Sequence, residues 1–88
     1  VRVELPEIAA VLSAMSPEQE AMADGELANA EVAVRLTYET VKACARRHPS
    51  MPLWLVMDRD RVELKTDAAH EALLKKIARE VLANAAER

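Results

Sequence analysis

Phenylalanine is missing from this chain of 88 residues, and Trp54 and Tyr38 are its only aromatic side chains. Without large rings the core must be assembled from Val, Leu, Ile and Met. Alanine, with 17 occurrences, adds little area but lets helix backbones approach closely. Gly25 is the only glycine, which excludes a glycine-rich phosphate loop. Cys44 is the only cysteine, which excludes an intramolecular disulfide. No stretch resembles a signal peptide or a membrane span, and there is no internal repeat or low-complexity tract. A reducing cytoplasm is the expected location. A strong charge of either sign is also lacking: the net value of −3 predicts neither a general attraction to nucleic acid nor a solvated acidic tail.

What remains is a single domain, residues 1–88, that buries only roughly 60 to 65% of the surface its unfolded form exposes. Its stability is therefore expected to be marginal, and dimerisation is one way to add buried area. Abundant Ala and Arg beside few Lys, Ile and Asn point to a GC-rich coding sequence, as in a bacterium or its phage. The chain starts at Val1, so either an initiator methionine has been removed or these residues are a domain of a longer protein.

Leu53 to Lys65, LWLVMDRDRVELK, carries the clearest β-hairpin signal. Val62 and Leu64 alternate with Arg61, Glu63 and Lys65, and same-face residues must pair across the strands. Met57 therefore opposes Val62 and Leu55 opposes Leu64, with Asp58 to Arg61 as the turn. These four apolar residues should face the core. Trp54, near Lys65, and Val56, near Glu63, then face the other way.

Around the hairpin the pattern is helical. Val1, Val3 and Leu5 alternate as in a half-buried strand, and a short helix is expected from about Pro6 to Met15. Ser16-Pro17-Glu18-Gln19 has the features of a capping box and begins either a new helix or a kink. Asp24-Gly25 interrupts it. From Glu26, the residues Leu27, Ala30, Val34, Tyr38, Val41 and Ala45 predict a long helix, flanked by Val32, Leu36 and Cys44 and ending near His48 before Pro49. A last helix, capped by Thr66 or Asp67, runs to about Ala86 with His70, Leu74, Ile77 and Val81 on one stripe. The fold class is thus α+β, a small helix-dominated domain with one hairpin and a candidate third strand at the N-terminus, in the order (β)ααββα.

Charge is unevenly spread. Residues 16–31 hold five acids and no base, while 35–47 hold Arg35, Lys42, Arg46 and Arg47 against Glu39. This distribution either complements the helix dipoles or marks a contact between subunits.

Candidate chemistry is sparse. Cys44 and His48, at i and i+4, can project from one helical face as two zinc ligands, with Asp58, Asp60 or His70 needed to complete a set. The plainer alternative is a buried thiol and a histidine beside a helix C-terminus. As a nucleophile Cys44 is disfavoured, because a helix C-terminus raises a thiol pKa. Asp58, Asp60 and Glu63, interleaved with Arg59 and Arg61, read as solvated turn residues rather than paired carboxylates. No enzyme, cofactor or resident metal is expected. Arg46, Arg47, Lys75, Lys76 and Arg79 are candidate nucleic-acid contacts, although Glu71 and Glu80 sit among the last three.

The main expectation is a protein-interaction or regulatory module, self-associating as a homodimer, with Trp54, Val56 and Lys65 as partner contacts. The alternative is a nucleic-acid-binding protein that uses the basic ends of its long helices. Whether the N-terminal strand or the helix after Ser16 covers Trp54 is the point on which the first expectation turns.

Overall fold

A computed structural model describes residues 1–59 and 61–86 of the chain. Three antiparallel strands, β1 (Arg2–Val3), β2 (Leu53–Asp58) and β3 (Arg61–Lys65), form a sheet in the order β1-β2-β3. The helices are α1 (Leu5–Ala14), α2 (Pro17–Glu26), α3 (Val32–Arg47) and α4 (Glu71–Ala86), with one 3-10 turn at Ala68–His70 before α4. The chain is therefore α+β, with three helices rather than two between the first strand and the hairpin.

The extra helix comes from the capping box. Ser16 Oγ accepts from the Gln19 N–H at 3.2 Å and Gln19 Oε1 accepts from the Ser16 N–H at 2.9 Å. Met15 is extended, so α1 stops and α2 begins anew instead of continuing through a kink. Gly25 lies in the last turn of α2 without a positive φ, and nothing approaches the place its Cβ would occupy. Residues 27–30 then form turns, and α3 starts at Val32, six residues later than the periodicity predicts. Leu27 and Ala30 are half-buried in this connector, so an apolar spacing that suits a helix persists through a segment that is not one.

The hairpin has the expected register: Trp54 pairs with Lys65, Leu55 with Leu64, Val56 with Glu63 and Met57 with Val62. Asp58 pairs with Arg61, and Arg59 takes the positive φ, 53°, that a two-residue connection requires. Asp60 lies outside the described residues. On the other side β1 extends the sheet, with Arg2 opposite Trp54 and Val3 opposite Leu53. The Val1 nitrogen donates to Leu55 O and the Leu55 N–H donates to Val1 O. At the hairpin base the Thr66 hydroxyl donates to Pro52 O at 2.6 Å, and Asp67, not Thr66, caps the following turn by accepting from the His70 N–H.

One apolar layer holds the elements together. Leu5 from α1, Cys44 and Ala45 from α3, Met51, Leu53 from β2, and Leu74 and Ile77 from α4 form its buried centre. Val3, Ile8, Leu12, Val41 and Leu64 pack against it. Small Cys44 and Ala45 let α3 lie close to the sheet. The long-helix stripe is only partly correct: Val32 and Val34 at the start of α3 are exposed, and burial is concentrated in its second half.

Burial also declines along β2, which corrects one expectation. Leu53 is fully buried and Leu55 half-buried, while Met57, expected in the core, is 70% exposed. Met57 points to the helix-facing side, but the far end of the hairpin extends past the helices that would cover it. Leu53→Ala should accordingly cost about 2–5 kcal/mol in urea unfolding. Met57→Ala should cost no more than about 0.5 kcal/mol.

Candidate functional site

The core residues of the helices cluster with Leu53 and Leu64, so among the described residues no helix contributes to the opposite face of the sheet. Trp54 and Val56 run down its central strand, each 37% exposed. Arg2 and Lys65 flank Trp54 on the neighbouring strands, and Glu63 stands beside Val56. The result is an apolar column between charged columns. Arg2 also reaches Glu4, with Nε to Oε1 at 3.4 Å. Neither candidate cover occupies this face: β1 lies in the plane of the sheet beside β2, and α2 is tied to α3.

That tie is an ion cluster. Lys42, on α3, has only 7% of its side chain exposed, and its Nζ lies 3.1 Å from Glu20 Oε1 and 3.2 Å from Asp24 Oδ1, both on α2. Arg46, one helical turn later, also donates to Glu20, and the Lys42 ammonium sits 5.0 Å from the centre of the Tyr38 ring. Burial pulls the Lys42 pKa down, but the hydrogen bonds to Glu20 and Asp24 outweigh it and hold the ammonium above its ordinary value. The hydrogen bonds from Arg46 and then Lys42 hold the Glu20 carboxyl below its ordinary value. Since α2 buries none of its residues, these charges do the orienting. The acidic block of 16–31 and the basic block of 35–47 thus meet within one chain. Opposite charge blocks on consecutive helices joined by a short turn were the available signal.

The basic residues considered for nucleic acid fall into two groups. Arg46 is engaged by Glu20, and Arg47 donates to Glu80 on α4, whose carboxyl it holds below the ordinary range. Lys75, Lys76 and Arg79 are exposed on α4.

Cys44 and His48 sit one turn apart at the C-terminal end of α3. Cys44 has no exposed surface; burial pushes its thiol up to about 11, with the Arg47 charge pulling weakly the other way. His48 closes α3, its N–H donating to Cys44 O at 2.8 Å. His70 Nδ1 lies 2.6 Å from Asp67 Oδ1 at the start of the C-terminal segment. Among the described residues no three His, Cys, Asp or Glu side chains converge as a metal set, and no helix is long and apolar enough to cross a membrane. Asp58 and Glu63 are exposed on the hairpin.

A groove of about 610 Å³ runs between β3, α3 and α4, with Leu36, Leu64, Leu74 and Leu82 on its apolar walls and Thr37 and Lys75 at its margins. A second, of about 800 Å³, lies over the ion cluster between α2, α3 and the end of α4. No family model matches the chain, and no curated protein or solved structure shows significant similarity to it.

Two measurements check these assignments. Glu20 keeps its charge in the folded protein to lower pH than the ordinary 4.5, so its contribution is present above that value and is lost as pH falls through the depressed native one. The urea midpoints of wild type and Glu20→Gln should therefore differ at pH 6 to 7 and converge as the pH falls through the depressed native value. Lys42 adds no pH dependence below its ordinary 10.5, since its raised pKa keeps it charged there in both states. Cys44, buried and protonated, should react with a thiol reagent at neutral pH only as fast as the chain opens, and at once in denaturant.

Proposed function

We propose that this protein is a non-catalytic protein-interaction or regulatory module of a bacterial or phage cytoplasm, one that self-associates and presents the outer face of its sheet to a protein partner. Trp54, Val56 and Lys65 are the contact residues. The observation that carries this reading is the exposed Trp54 and Val56 column on the face opposite the helices. A large ring in an apolar strip, ringed by Arg2, Glu63 and Lys65, has the make-up of a binding hot spot: an anchor that loses water on docking and a charged rim that sets orientation.

The charge pattern agrees with this assignment. Arg46 and Arg47 are compensated by Glu20 and Glu80 away from the sheet, while Arg2, which also reaches Glu4, and Lys65 flank the apolar column. A partner strip with an apolar centre and acidic groups opposite Arg2 and Lys65 would complement this surface.

Sedimentation of the wild-type chain over a range of concentrations should reveal an assembly larger than the monomer. Trp54 is the only tryptophan, so its emission should shift to the blue when its face is covered. Trp54→Ala should weaken partner binding by about 2 kcal/mol or more with little change in the unfolding midpoint. A chain that stays monomeric, together with a Trp54→Ala variant unchanged in stability and in every binding assay, would remove the reading.

A further inference from the structure

We infer that the self-association is an antiparallel pairing of β3 with β3 of a second copy, in a register centred on Leu64, which joins two three-stranded sheets into one. The inference rests on the self-association in the reading above and assigns it a surface.

β3 is an edge strand, since the sheet runs β1-β2-β3 and no other described strand follows it. In an antiparallel ladder the N–H and C=O of one residue point to the same side and alternate along the strand. Leu55 exchanges both of its bonds with Val1, so its backbone points toward β1. Its partner Leu64 is then in a non-bonded pair with β2, and the backbone groups of Leu64, and by alternation of Val62, point away from the sheet. No backbone bond from another described segment reaches them. The opposite edge offers only the two residues of β1.

Edges of this kind are commonly protected by charge, and Arg61, Glu63 and Lys65 on the outer face of β3 are suited to that. Their signs, however, oppose a register centred on Glu63 and favour its two neighbours, centred on Val62, where Arg61 meets Glu63, or on Leu64, and only the second places Leu64 against its own copy beside the apolar groove. Centred on Glu63, two copies place Glu63 against Glu63 and Arg61 against Lys65, which repel. Centred on Leu64, Glu63 of each copy meets Lys65 of the other, twice over by the two-fold axis, and Leu64 exchanges both backbone bonds with its own copy. On the helix-facing side Leu64 of the second copy then lies over the groove beside Leu36 and Leu82, the latter 56% exposed. A free ladder edge, complementary charges and an apolar groove thus coincide along one strand.

Charge reversal tests the register. Glu63 and Lys65 are exposed and outside the core, so the fold should withstand changes there. In sedimentation equilibrium the full-length wild type should dimerise, and Glu63→Lys and Lys65→Glu should each weaken dimerisation at least about tenfold. An equimolar mixture of these two variants should form a heterodimer, and the double variant Glu63→Lys with Lys65→Glu should recover the homodimer. Dimers that persist unchanged in both single variants would overturn the β3 pairing while leaving self-association through another surface intact. Association of Lys65→Glu that is unchanged or tighter while Glu63→Lys weakens would overturn the Leu64-centred register. A wild type monomeric up to about 1 mM, a concentration at which even a weak specific contact would register, would overturn the pairing and self-association together.

Discussion

The structure depends on a single apolar layer that joins the small side chains of α3, Cys44 and Ala45, to Leu53 at the base of the central strand and Ile77 of α4. All four are at most 2% exposed. With no phenylalanine to span a wide gap, close approach of a helix to the sheet is the way this composition excludes water. Leu5 at the start of α1, Met51 in the connector before β2 and Leu74 of α4 complete the layer.

A layer of that size covers only one side of the sheet, and the rest of the surface follows from this limit. The hairpin is longer than the helical support beneath it, so burial fades from Leu53 through Leu55 to Met57. The opposite face keeps Trp54 and Val56 partly in water, and the outer backbone edge of β3 stays open beside the groove containing Leu36 and Leu82. Area left unburied within one copy is area available to a second copy or a partner. The proposed β3 pairing uses the edge of the sheet and the proposed Trp54 surface its face, with Glu63 and Lys65 at the boundary common to both.

Charge performs for α2 what apolar burial performs for α1 and α4. Lys42 is nearly enclosed, and an ammonium in that position is tolerated because Glu20, Asp24 and the Tyr38 ring surround it. Such clusters add little net stability relative to well-packed apolar residues, but they are selective about geometry. Here they set the position of a helix that has no buried residue of its own. Arg47 and Glu80 add a comparable link between α3 and α4.

Much of this was legible in the residue order, wherever a local rule has one solution. Strict alternation at Val62 and Leu64 determined the hairpin register, because a shift by one residue would have turned the apolar face to water. The Ser16 capping box and the stop before Pro49 are equally local. The connector at 27–30 was not legible, since its half-buried Leu27 and Ala30 repeat at the spacing of a helix. Tertiary structure alone decided how far the helices reach along β2, which charges pair across α2 and α3, and that Cys44 lies sealed in the core. The division has a physical cause. Periodicity reports which side of an element is apolar; whether that side is covered depends on the lengths and placement of other elements, which are settled only when the whole chain packs.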